Sequence, residues 1–388
     1  MTYSPYGALP VPTPDPIFSI LGEAIAAGPT AINCTAGVLM DEDGSVTLLP
    51  SVAKAVKEVS EILPTQRFGY PNLLGLPSFR SSVHELIFGK DHPWHLASMA
   101  TTGGTGALAV NMRLMKSLLK SGRMILPSPA WANHMPPALA ANLEVIEVPY
   151  LKDGEVSIDA TIEAINKEKG DFGILLQVGC HNPTGLDLTD AQWVTILQAL
   201  KKKNCVVLLD SAYQGLKDVP EKDIAPITKF LEAGITTLIT WSAAKNHTIY
   251  SLRTGLALAV VPDKALVPVL EGHYSKITRQ IHSASATIGQ MVVAKTQEMH
   301  KEEWLRDLEA GRAVITKKRA MMLERLPEKF RKSLAGYGMF AMLPLTKPQI
   351  QTLKDEHKVF MTFDGRINIA GIPEKRMAEF CDKIEAVG

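Results

Sequence analysis

With 388 residues, 46% hydrophobic and 21% charged, the chain has an ordinary globular composition and length enough for two domains. Its 41 basic and 40 acidic residues leave a formal net charge of +1, so no global field favours nucleic acid or an anionic membrane surface. No run of about 18 apolar residues predicts a membrane span and the first residues show no leader pattern, while Cys34, Cys180, Cys205 and Cys381 lack zinc-like or disulfide-framework spacing. Free thiols in a reducing compartment, the cytoplasm, are the expectation, with neither nucleic acid nor membrane as a partner.

In chain order, Pro5, Pro10, Pro12, Pro14 and Pro16 predict a stiff extended arm over residues 1–16, which either lies on another surface or is disordered. From about residue 48 to 266, β-branched apolar runs alternate with helical patterns, the signature of a mostly parallel sheet with helices on both faces. The predicted strands are 123–127, 143–148, 173–178, 205–209, 236–241 and 256–261. Between them, Leu108, Met112, Met115 and Leu119 form a helical stripe. Thr189-Asp-Ala-Gln192 is a capping box opening a helix that carries Trp193, Ile196, Leu197 and Leu200 on one face. Charged helical sequence over about 298–329, then Met377, Phe380, Cys381 and Ile384 on a last helix, predict a smaller α+β domain.

The chemistry-bearing segments sit where those strands end. Lys245 follows the 236–241 run, and Arg253 lies eight residues beyond it. An amine at the end of a buried strand is partly desolvated, which lowers its pKa and frees it to attack a carbonyl carbon. Pyridoxal phosphate is such a carbonyl compound, and Ser242 and Arg253 are the hydroxyl and guanidinium that a phosphate needs. Thr101-Thr-Gly-Gly-Thr-Gly106, with Gly104 and Thr105, precedes the Leu108 helix and offers an anion open amides at a helix start. A nucleotide P-loop is disfavoured, because Ala107 and Leu108 stand where Lys and Ser or Thr are needed. Asp210 ends another strand, suited to pair with a protonated pyridine nitrogen, and Tyr213 is suited to hydrogen-bond the ring oxygen. Asn182, in a Pro-Gly turn, is a second donor to that oxygen. Cys180 and His181 have no partner pair for a metal. Trp131 offers an indole to lie on the ring, His134 supports Asp210, and Arg366 and Arg279 suit carboxylates. Taken singly, each motif also has a plain reading: solvated lysine, glycine-rich helix cap, capping aspartate, buried tryptophan or surface arginine.

Together these segments resemble class I pyridoxal-phosphate aminotransferases of the aspartate and aromatic amino acid subgroup, from about Pro14 to the C-terminus. The resemblance rests on the order Gly-Gly-Thr-Gly, Trp-x-Asn-His, His-Asn-Pro-Thr-Gly, Asp-x-Ala-Tyr-Gln-Gly, Ser-x-x-Lys-Asn and Gly-Arg-x-Asn-x-Ala-Gly. It implies that Lys245 forms the imine with pyridoxal 5'-phosphate and later shuttles the proton. Asp210, supported by His134, would pair with the pyridine nitrogen. Asn182 and Tyr213 would bind the ring oxygen and Trp131 would stack on the ring. Gly104, Thr105, Ser242 and Arg253 would hold the phosphate, with Tyr70 reaching across from a second subunit. Arg366 would take the α-carboxylate, Gly37 would lie near the substrate, and Arg279, also offered by the partner, would take a side-chain carboxylate. The implied molecule is a homodimer with active sites at the interface.

The implied fold is that of pyridoxal-phosphate transferases: a large domain over 46–311 and a small domain from 17–45 and 312–388, behind the 1–16 arm. The implied reaction is ping-pong transfer of an amino group from an L-amino acid, aspartate and/or aromatic, to a 2-oxo acid such as 2-oxoglutarate. A lyase or decarboxylase on the same scaffold, or a binding protein that kept the fold, are the alternatives. The chain departs from the family at Cys34-Thr-Ala-Gly37, at Ala244 where a second serine is usual, at His247-Thr248 and at Ala284. Those departures bear on cofactor affinity and substrate choice.

Overall fold

The computed structural model describes residues 9–12, 14–66 and 69–388. Much of the proline arm, Pro5 included, lies outside the described residues. Pro16 belongs instead to the helix Pro16–Ala26, where the fixed φ of proline suits the first turn. The Asp15 carboxylate caps that helix, accepting from the amides of Ile17 and Phe18 at 2.9 and 3.1 Å.

Seven strands form the central sheet: β1 (His95–Thr102), β2 (Arg123–Ser128), β3 (Glu144–Pro149), β4 (Phe172–Gln177), β5 (Cys205–Ser211), β6 (Thr236–Ser242) and β7 (Thr254–Val261). Their order is β1-β7-β6-β5-β4-β2-β3. Neighbours pair in parallel except at β7, which runs antiparallel to β1 and β6. Six of the seven coincide with predicted strands. The seventh, β1, reads His-Leu-Ala-Ser-Met-Ala-Thr-Thr and lacks a β-branched apolar run; eight paired positions along β7 hold it as a strand.

Alternation along each strand feeds two cores. Val207 and Leu209 of β5 face one cluster with Ile174, Leu176, Ile239 and Trp241, while Val206 and Leu208 face the other with Met124, Leu126 and Leu175. Helix Gly103–Leu118 packs into the second cluster with Leu108, Met112 and Met115, as their spacing predicted. The first cluster takes Trp193, Ile196, Leu197 and Leu200 from helix Asp190–Leu200, which the Thr189–Gln192 capping box opens.

A third cluster joins Ile32 and Cys34 near the N-terminus to Met322, Phe330, Ile367, Phe380 and Ile384. It is framed by the helices Lys301–Arg325 and Met377–Val387 and by the antiparallel pair Phe340–Met342 and Arg366–Asn368. Among the described residues, no helix is long and apolar enough to cross a membrane.

Candidate active site

Strand register brings the chemistry to one edge of the sheet. Gln177, at the end of β4, pairs with Asp210 of β5; Ser211 pairs with Trp241 of β6; Ser242 pairs with Gly255 of β7; and Thr254 pairs with Thr102 at the end of β1. The carboxyl ends of the parallel strands and the beginning of the reversed one therefore meet, as ligand crevices of open α/β sheets require.

Asp210 is 5% exposed and its Oδ2 accepts from His134 Nε2 at 2.8 Å. The next helix, Pro220–Asp223, has Val219 as its N-cap, so the capping reading of Asp210 does not apply. Asp210 Oδ1 accepts nothing from a described residue, so one oxygen of a buried carboxylate is left for a donor from outside the chain. Trp131 stands edge-on to the His134 ring, 5.5 Å between centroids. Asn182 is held through its backbone by both ends of the Gln177 amide, and its Nδ2 donates to the Tyr213 oxygen at 3.2 Å. The Tyr213 hydrogen has no protein acceptor among the described residues, and burial pushes its pKa upward, so the phenol stays a donor.

Lys245 lies in the short helix Ala243–Asn246 directly after β6. Burial first, then the charges of Arg253 and Arg366, bring its pKa down from 10.5 to about 8. Among the described residues no carboxylate pairs with its amine; Nζ instead lies 4.7 Å from the centre of the Tyr250 ring.

Next to it is a cradle made by absent side chains. Gly103 has φ +69°, and a Cβ there would stand 2.7 Å from Arg253 Nη2. A Cβ on Gly104 would meet Ser242 Cβ at 3.2 Å, and one on Gly255 would meet the Gly103 carbonyl carbon at 2.6 Å. These approaches put the start of helix Gly103–Leu118 against a hydroxyl and a guanidinium, the donor set of an anion site. Arg253 itself adopts the left-handed conformation at φ 47°, and its Nη1 donates to the Tyr250 carbonyl at 3.0 Å. The Thr105 hydroxyl accepts from Asn133 Nδ2 at 3.2 Å.

Arg366 approaches from the third cluster. It is 5% exposed, donates to the Thr35 carbonyl at 2.8 Å and lies 5.0 Å over the Phe340 ring. Burial lowers its pKa, yet a guanidinium keeps its proton. The same ring limits Gly37, where a Cβ would meet Phe340 at 2.9 Å. Tyr70 and Arg279 are not gathered in. Tyr70 is 100% exposed and Arg279 lies exposed near the end of helix Val267–Ile281. Neither side chain makes a hydrogen bond or ion pair among the described residues.

Sequence reading passed over Phe340, the platform under Arg366, and Tyr250, the ring under Lys245. Phe340 is separated by 26 positions from the residue it supports and left no local signal. Tyr250 sat in plain view between Lys245 and Arg253.

The family model for aminotransferase class I and II matches residues 29–384. The chain belongs to that family. It is 31% identical to the aspartate aminotransferase of Escherichia coli over 92% of its own length and 93% of that protein's. It is 32% identical to the aromatic-amino-acid aminotransferase of Paracoccus denitrificans, over 98% and 99%. In structure it is similar to the aromatic-amino-acid aminotransferase of Burkholderia pseudomallei, solved covalently bound to pyridoxal phosphate, with a TM-score of 0.94 at 28% identity over 99% of this chain and all of that one. The cytoplasmic aspartate aminotransferase of Giardia lamblia also superposes with a TM-score of 0.94, at 25% identity over 99% and 98%. The family depends on pyridoxal phosphate, and this aminotransferase is a transaminase on the aspartate aminotransferase-like fold. Relatives bearing aminotransferase names favour amino transfer over a lyase or decarboxylase step.

Proposed function

We propose that this aminotransferase moves the amino group of aspartate, an aromatic L-amino acid or both to a 2-oxo acid such as 2-oxoglutarate, in two half-reactions at one site. The observation that carries the reading is Lys245, its amine held near pH 8 at the same sheet edge as a buried carboxylate already hydrogen-bonded to His134.

The residues present fit pyridoxal 5'-phosphate. Asp210 Oδ1 has no donor among the described residues, and the pyridine nitrogen of the ring, once protonated, would supply one. The Tyr213 hydroxyl and the Asn182 amide converge as donors for the ring oxygen, and Trp131 flanks the ring. Gly104, Thr105, Ser242 and Arg253 take the phosphate, with Tyr70 joining from a second subunit. When bound, the cofactor supplies a carbonyl carbon for attachment and a sink for the electron pair left at the substrate Cα. Lys245 Nζ is the attachment point. Once freed, that nitrogen would act as the general base that holds the substrate Cα proton and hands it back. A pKa near 8 leaves a useful share of the amine unprotonated at neutral pH, where an exposed lysine has almost none. Arg366 orients the α-carboxylate from its Phe340 and Thr35 seat, and Gly37, having no Cβ, lets the chain pass close to that same ring near the substrate. Trp131 and Asn182 line the substrate as well.

Arg279 takes the distal carboxylate of a dicarboxylic substrate at the partner's site. An exposed cation with no carboxylate partner among the described residues supports this, as does complete exposure of Tyr70 for assembly as a homodimer with sites at the interface. We also propose a large domain over 46–311 and a small one over 17–45 and 312–388, which the separate third cluster supports. A cytoplasmic location accords with the scattered free thiols and with the relative named cytoplasmic in Saccharomyces cerevisiae.

The deciding experiment is an amino-donor panel against 2-oxoglutarate with glutamate as readout, run on the parent and on Arg279→Ala. Loss of aspartate turnover with aromatic turnover kept is expected; unchanged aspartate turnover overturns the role of Arg279. A protein that stays colourless with added pyridoxal phosphate overturns the whole reading.

A further inference from the structure

Tyr250 touches three parts of the site at once. Its ring lies 4.7 Å from Lys245 Nζ, its hydroxyl oxygen accepts from the Leu39 amide at 2.9 Å, and its carbonyl accepts from Arg253 Nη1 at 3.0 Å. Leu39 belongs to a strap that runs from Thr35 to Leu49. On one side the strap is gripped by the strand of Arg366: Arg366 Nη2 donates to the Thr35 carbonyl at 2.8 Å, and Asn368 Nδ2 donates to those of Ala36 and Val38 at 2.5 and 2.7 Å. Glu42 extends that grip by accepting from the amides of Glu374 and Lys375. On the other side the strap is held by the segment just after Lys245. The Leu49 amide donates to the Thr248 hydroxyl at 3.0 Å, and the Leu39 amide donates to Tyr250.

We propose that Tyr250 is a positioning residue that berths the proton-bearing Lys245 side chain on its ring face and, through Leu39, ties it to the strap beneath Arg366. The proposal rests on the assignment of Lys245 and Arg366 above. An aromatic face attracts an ammonium and does nothing comparable for a neutral amine, so it works against the cations Arg253 and Arg366 that bear on the same nitrogen. The ring offers no base to take the proton away. The hydroxyl acts independently of the ring, fixing the backbone two residues from Gly37, which packs against the Phe340 ring under Arg366. One side chain thus places the proton carrier and the carboxylate seat in a single frame.

Two variants separate the ring from the hydroxyl. Tyr250→Phe keeps the ring and removes the bond to Leu39; Tyr250→Leu removes both. Each is loaded with the amine form of the cofactor, in which Lys245 is free, and labelled with trinitrobenzenesulfonate across pH, with peptide mass mapping to read position 245. The Leu variant is expected to lower the labelling midpoint by ~0.4 to 1 pH unit, and the Phe variant to leave it at the parent value. Both are expected to speed hydrogen exchange at the Leu39 amide. Both should also raise the KM for the amino acid by ~5-fold, the loss of about one hydrogen bond, with kcat in the Phe variant within a factor of two. Should the Leu variant not fold, Tyr250→Met repeats that arm. A parent-like midpoint without the ring, or a parent-like Leu39 exchange rate without the hydroxyl, overturns the proposal while the transaminase reading stands. A parent protein that does not transaminate overturns the reading instead.

Discussion

Lys245 draws its chemistry from where it sits. Burial and two guanidinium groups act in the same direction, so its proton leaves near pH 8 rather than 10.5. In cofactor-free protein, Lys245 labelling should reach half its maximum near pH 8, and Arg253→Leu should move that point upward by removing a nearby cation. The folded chain loses this proton before the unfolded chain does. The contribution of position 245 to stability therefore rises as pH goes from about 8 towards 10.5, a trend that Lys245→Met should abolish in chemical denaturation series. With the cofactor present, Lys245→Ala should cost ~10²-fold or more in turnover, as loss of a general base does. Turnover at the parent rate would remove Lys245 from the chemistry.

At the scale of elements, the site depends on close approach at strand ends. Gly104→Ala would push its Cβ to 3.2 Å from Ser242, in the cradle assigned to the phosphate. Weaker cofactor retention on dialysis is expected, read by absorbance. A control substitution elsewhere shows the contrast: Thr189→Ala removes one end of a capping box on an exposed turn and should cost about 1 kcal/mol in stability with kcat unchanged. Most elements were legible in the sequence because their periodicities were strong. The stripe of Leu108, Met112 and Met115 and the capping box at Thr189 each needed only neighbours within a few residues. Strand β1 did not announce itself, since it gains its order from β7, some 150 residues away. The reversed direction of β7 was likewise invisible, because apolar alternation is the same read from either end.

At the scale of the molecule, the exposed Arg279 and Tyr70 make sense if a second copy brings them to the site. Complementation tests this. Lys245→Ala protein and Arg279→Ala protein, each deficient in aspartate turnover, should regain it when unfolded together and reassembled, since one site of each mixed dimer carries both native residues. No gain on mixing would mean that the lysine and the arginine serve one site from the same chain.

The sequence by itself determined the chemical groups and their order along the chain. Lys245, Asp210, Asn182, Arg253 and Arg366 could be singled out because short motifs beside strand ends have few other uses together. Tertiary structure decided what each group meets. Phe340 supports Arg366, and Tyr250 joins Lys245 to Leu39 across 211 positions. Those contacts are set by strand register and by packing between distant segments, and a side chain's neighbours through space leave no trace in the residues next to it along the chain.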